Sequence, residues 1–160
     1  MFREMRRNKQ QLSAEENIEI LEKGKTAVIA VSGDDGYPYT VPLNYVYFND
    51  KIYFHCAKTG HKLDAIKRND KVSVCVILQD DVAPEKYTTY YKSVICFGRA
   101  KIVENETLAQ ESITALGEKY CYSQGDEGIQ NEVKKGMPAM FMVEITPEHI
   151  SGKQCIELVK

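Results

Sequence analysis

Between Phe54 and Asp64 the chain reads Phe-His-Cys-Ala-Lys-Thr-Gly-His-Lys-Leu-Asp. An extended run ends at the Thr59-Gly60 pair, and a short helical pattern follows it. The start of a helix presents unpaired N–H groups and a partial positive charge, which suits a phosphate or carboxylate. His61 and Lys62 fall in that first turn. Cations there oppose the helix dipole, and an anion bound between them and the amides would remove the conflict. Two solvated surface side chains account for the same residues equally simply. His55 follows Phe54 on the strand. A histidine in that place is more often a hydrogen-bonded structural residue. His55 and His61 have no third ligand near them, and Cys56 and Asp64 add no metal-ligand spacing, so no metal site is expected.

A second stretch runs through Val41-Pro42-Leu43-Asn44-Tyr45-Val46. Proline lacks the ladder N–H, so this strand should have an edge or a bulge near Pro42. Backbone groups freed in this way can bind something planar and polar, a flavin ring being one candidate and an ordinary edge strand the other reading. The third stretch is Tyr90-Tyr91-Lys92-Ser93-Val94-Ile95-Cys96-Phe97-Gly98-Arg99-Ala100. Gly98 in mid-strand implies a bulge or a close backbone approach. The tyrosines suit a dimer surface or a ligand wall, with Tyr90, Tyr91 and Val94 covering an apolar flank. No Gly-x-Gly-x-x-Gly, Walker loop or Gly-x-Ser-x-Gly is present, so a Ser–His–Asp hydrolase has no anchor here.

These stretches need a scaffold, and 160 residues suffice for one domain spanning 1–160 with a sizeable core. Lys plus Arg is 21 and Asp plus Glu is 23, a net charge of −2, which excludes general nucleic-acid binding driven by bulk charge. No apolar run approaches the ~20 residues of a membrane span. The opening Met1 to Lys9 is basic without an apolar core, so no secretory signal is expected. Five scattered cysteines, Cys56, Cys75, Cys96, Cys121 and Cys155, point to a reducing cytoplasm.

Residues 13–23 read as a helix that opens with a Ser13/Glu16 capping box and stops at Gly24. Strands are expected at 26–31, 39–48, 51–56, 72–78, 93–103 and 138–145, with a last extended segment at 150–158. Helices are expected at 59–68 and 106–120, and loops at 79–89 and 122–136. Consecutive, hairpin-linked strands argue for a mainly β, closed antiparallel barrel with helical insertions rather than a doubly wound sheet.

Taken in order, these stretches resemble the flavin-binding split-barrel superfamily related to pyridoxamine phosphate oxidase, and within it the nitroimidazole-resistance (Nim-type) branch. The residues that carry the resemblance are Met5-Arg6-Arg7, Pro38 to Val46, Tyr53-Phe54-His55, Gly60 to Ile66, Ser93 to Ala100 and Ile150-Ser151-Gly152-Lys153. The resemblance implies a six-stranded antiparallel split β-barrel with short peripheral helices. It also implies a homodimer with FMN bound between the subunits. His61 and Lys62 would hold the phosphate, Val41, Pro42, Leu43, Asn44, Tyr45 and Val46 would run along the isoalloxazine, and His55 and Cys56 would approach the phosphate and ribityl chain. Ser93 would reach the flavin of the other subunit.

The oxidase proper has an arginine where this chain has Val41, and an Arg-Leu-His motif where this chain ends Cys155-Ile156-Glu157-Leu158-Val159-Lys160. The implied activity is therefore not pyridoxamine phosphate oxidation. It is FMN-dependent reduction of small electron-poor acceptors such as nitroaromatics, with His55 the one candidate proton donor. The alternative is a split barrel that binds or senses flavin or haem without turnover.

Overall fold

A computed structural model describes residues 2–159; Met1 and Lys160, the ends of the expected domain, lie outside them. Helix α1 (Ala14–Lys23) starts as its sequence dictates. The Ser13 N–H donates to Glu16 Oε2 at 2.9 Å, and the Glu16 N–H donates to Ser13 Oγ at 3.2 Å. Ile20 and Leu21 then bury against the sheet.

The sheet has seven strands rather than six: β1 (Ala27–Ser32), β2 (Pro38–Leu43), β3 (Val46–Phe48), β4 (Lys51–Ala57), β5 (Lys71–Ala83), β6 (Thr88–Ile102) and β7 (Met140–Gln154). Every pairing is antiparallel, and the order is β2-β1-β5-β6-β7-β4-β3. The extra strand arises because the run expected at 39–48 divides. β2 lies at one edge of the sheet and β3 at the other, yet only Asn44 and Tyr45 join them. The three Cα–Cα steps from Leu43 to Val46 span no more than ~11 Å. The two edges must therefore come almost together, and the sheet curls into a barrel that is split along this seam. Pro42 sits on the edge strand, where its missing N–H costs no ladder bond.

Inside the curl, alternate residues of each strand form one apolar cluster that includes Ile29, Val31, Phe54, Val74, Val76, Val94 and Ile145. Helices α1 and α2 (His61–Arg68) contribute Ile20, Leu21, Leu63 and Ile66 to it. A second cluster lies outside the barrel, where α3 (Glu106–Cys121) and α4 (Gly125–Gly136) cover Val46, Tyr53 and Met142.

Three expectations need correction. Residues 125–136 form a helix, not a loop, because Ile129 and Val133 are one turn apart and bury together against α3. Residues 79–89 are mostly strand: the ends of β5 and β6 continue as a paired ribbon, with Asp80 opposite Tyr91 and Ala83 opposite Thr88. The last extended segment is not separate, since β7 runs on through Pro147. It does so at a bulge opposite Phe97 and Gly98, where a Cβ on Gly98 would strike the Thr146 carbonyl. The mid-strand place of Gly98 reflects this close backbone approach. Among the described residues, no helix is long and apolar enough to cross a membrane.

Candidate functional site

Strand β4 passes into α2 through Lys58-Thr59-Gly60. Gly60 adopts φ 136° and ψ 160°, a backbone conformation that L side chains rarely adopt. As the residue before the helix it offers no side-chain cap. The Leu63 and Asp64 amides fold back onto the Gly60 carbonyl, at 3.0 and 3.1 Å. The first amides of α2 are left facing outward, as at any uncapped helix start.

His61 and Lys62 are neighbours in sequence but lie on different faces of α2, as adjacent helical residues do. Lys62 turns toward β4, its Nζ 5.3 Å from the centre of the Phe54 ring. His61 turns the other way and stacks on Tyr39, with ring centres 4.2 Å apart. Its Nε2 lies 3.3 Å from Asp34 Oδ2, and the same carboxylate accepts a hydrogen bond from Arg68 Nη2 at 3.0 Å. One member of the expected basic pair is thus already beside an anion.

His55 and Cys56 occupy opposite faces of β4. Cys56 points into the barrel core, where burial raises its thiol pKa and the Lys62 charge only partly offsets the rise. It is not a ready thiolate. His55 faces outward and stays exposed. Partial desolvation, then the nearby Lys62 charge, hold its imidazole below the usual histidine value. Lys62 therefore acts on both residues that border the α2 start.

On β2, Val41 and Leu43 lean half-buried into the barrel while Pro42 faces solvent at the open edge. Asn44 Nδ2 donates to the Lys25 carbonyl at 3.3 Å. Tyr45 is fully buried, and its hydroxyl donates to the Leu21 carbonyl at 2.7 Å. Val46 is buried in the outer cluster. Of the six residues expected along a ring, Val41 to Asn44 border the open edge, whereas the side chains of Tyr45 and Val46 are committed to packing. A two-residue crossing of the seam leaves Tyr45 nowhere else to go.

Ser93 joins none of these within the chain. It pairs with Lys153 on β7, whereas His55 pairs with Met142, and 153 − 142 is 11 residues along the strand. At ~3.3 Å per residue the two are far apart.

The model of the pyridoxamine 5'-phosphate oxidase family matches residues 13–154. The chain belongs to this family. No curated protein sequence matches it. Several solved structures share its fold at low identity. A conserved hypothetical protein from Mycobacterium tuberculosis superposes with a TM-score of 0.80 at 20% identity, covering 94% of this chain and 90% of that one. A putative 5-nitroimidazole antibiotic resistance protein from Bacteroides thetaiotaomicron gives 0.75 at 19%, covering 90% and 86%. An FAD and haem binding protein from Mycobacterium smegmatis gives 0.75 at 19%, covering 92% and 74%.

Within this family fold, sequence reasoning missed two buried polar groups. Glu144 is 1% exposed on β7. Burial alone would raise its pKa, but hydrogen bonds from Lys51 Nζ and Tyr53 Oη, both at 2.9 Å, and the Lys101 charge hold it below the usual carboxylate value. A single acid inside the apolar run Phe141 to Ile145 was the available signal. The second group closes the seam. The Tyr120 hydroxyl accepts from the Tyr45 N–H at 3.2 Å and lies 2.6 Å from the Lys25 carbonyl and 3.0 Å from that of Tyr45. Beside it, Lys119 Nζ is buried without a hydrogen bond, 4.0 Å from the centre of the Tyr45 ring. Burial lowers its pKa to about 8. Neither residue carries a sequence pattern, because both answer to a closure that only the sheet order creates. Among the described residues, no group of three His, Cys, Asp or Glu side chains is placed to hold a metal ion.

Proposed function

We propose that this chain is an FMN-binding oxidoreductase that acts as a homodimer and reduces small electron-poor acceptors such as nitroaromatics. The observation that carries the reading is the uncapped start of α2 with Lys62 set against β4. Outward amides and an ammonium group suit the dianionic phosphate of FMN. In this reading the first amides of α2 and Lys62 hold the phosphate, and Val41, Pro42, Leu43 and Asn44 border the ring. His55 holds a proton at its imidazole on the acidic side of its lowered pKa. The bound cofactor would supply the electron transfer. The family membership and the resistance protein among the similar folds support this assignment.

Calorimetry tests the phosphate contact: FMN should bind at least tenfold more tightly than riboflavin, which lacks the phosphate. Equal affinities would leave the α2 start without a role.

The dimer reading rests on the outward face of the sheet. Cross-strand rows there place Val28, Cys75 and Ile95 side by side, with Phe97 one row on. Val28, Ile77, Ile95 and Phe97 are each at least 36% exposed. A contiguous apolar patch of this kind marks an interface. The flank differs from the one expected, because Val94 is wholly buried in the barrel and Ile95 takes its place. Ser93 lies on the same outward face, the placement it needs to reach the partner's site. Light scattering should give the dimer mass at micromolar concentration, and Ile95→Asp should give monomers with weakened FMN binding. A monomeric wild-type protein would remove the shared site.

One observation favours the non-catalytic haem reading. His55 is an exposed imidazole biased toward the neutral form, as an axial ligand must be. The absorption spectrum separates the two readings.

A further inference from the structure

Between β4 and the α3–α4 pair lies a cavity of about 250 Å³, lined chiefly by His55, Ile113, Leu116, Ile129, Val133 and Met140. Its apolar walls belong to the outer cluster, where Ile113, Leu116, Ile129 and Val133 are each no more than 8% exposed. The cavity opens to solvent beside His55, Cys121 and Glu132, which are exposed, while its floor is apolar. An apolar void of ~150 Å³ is enough to take up benzene. This one has room for a single substituted or fused ring.

The polar groups at the walls narrow the ligand further. Cys121 and Glu132 line the cavity beside His55, and the Glu132 carboxylate lies 3.8 Å from Lys135 Nζ. Among the described residues no lysine or arginine lines the cavity, so an anion entering it would meet apolar surface and one carboxylate. His55 offers one hydrogen-bonding ring against an otherwise greasy wall.

We propose that this cavity binds a small uncharged aromatic molecule, held by packing on Ile113, Leu116, Ile129 and Val133 and by one hydrogen bond to His55. The apolar walls of the cavity are distinct from the α2 amides and Lys62, while His55 is shared with the function proposed above.

The test is a titration of methyl-labelled protein with indole, followed by NMR. The methyl signals of Ile113, Leu116, Ile129, Val133 and Met140 should shift saturably, while those of Ile29, Val74 and Val94 in the barrel stay fixed. Benzoate, the charged control, should shift none of them. Val133→Phe should fill the cavity and weaken indole binding at least tenfold. If that variant loses the barrel spectrum, Ile129→Phe replaces it. His55→Ala should weaken indole about tenfold and leave toluene within twofold. No saturable shift up to the solubility limit of indole would overturn the proposal. So would shifts confined to the barrel methyls, or unchanged indole binding in a well-folded cavity-filling variant. Equal losses for indole and toluene in His55→Ala would overturn the hydrogen bond.

Discussion

Lys62→Ala should weaken FMN binding by at least tenfold, whereas Lys23→Ala should leave it within twofold of wild type. Lys62 Nζ sits beside the α2 start and acts on both His55 and Cys56. A charge-assisted contact to phosphate contributes ~1.5–3 kcal/mol, or roughly a tenfold to a hundredfold change in Kd. Lys23 is mostly exposed at the end of α1 and pairs with Glu19 one turn away, and exposed pairs of that kind contribute little. Titration calorimetry on both variants decides the matter. An equal response would assign Lys62 to the solvated surface.

The second large effect is in turnover. The FMN-loaded protein should reduce a nitroimidazole when a chemical reductant is supplied, and should form no pyridoxal phosphate from pyridoxamine phosphate and oxygen. The exclusion rests on missing positive charge. Val41 is an apolar side chain leaning into the barrel. The C-terminal stretch presents Glu157, whose carboxylate is held ionised by its own backbone N–H and by the Thr88 hydroxyl at 2.9 Å. Cys155 is buried beside it, and Lys160 lies outside the described residues. A substrate phosphate left unpaired costs several kcal/mol, enough to abolish useful binding. If His55 passes the proton, nitro reduction should rise as pH falls through its lowered pKa and should level off below it. Pyridoxal phosphate formed over many turnovers would overturn the exclusion. Absence of nitro reduction with the cofactor held reduced would favour the binding-only reading.

What the sequence disclosed follows from how local each cause is. The capping box of α1, the edge position of Pro42, the bulge at Gly98 and the helix start after Gly60 each depend on a few adjacent residues. All of them are visible in the chain. Helix α4 was hidden because Gly125, Gly128 and Gly136 suggest a loop, while only Ile129 and Val133 bear the helical spacing. The outer ends of β5 and β6 were hidden for the opposite reason. They pair only with each other beyond the barrel, so no buried face imposes alternation on Gln79 to Thr89. The burial of Tyr45 and the seam contacts of Tyr120 depend on β2 and β3 meeting from opposite edges of the sheet. No run of residues records that meeting.

His61 shows how far local reasoning reaches at the site itself. Its place in the first turn of α2 was legible. Its engagement with Asp34 and Tyr39 was not, because both come from the β1–β2 connection and the start of β2. The phosphate contact proposed here therefore falls mainly to Lys62 and the α2 amides.

The most direct test of the account is the absorption spectrum of the purified protein, followed by extraction and mass identification of what it carries. The account predicts flavin bands and stoichiometric FMN, either as isolated or after incubation with FMN. A protein that stays colourless after that incubation, or that shows a haem Soret band in place of the flavin bands, would contradict it.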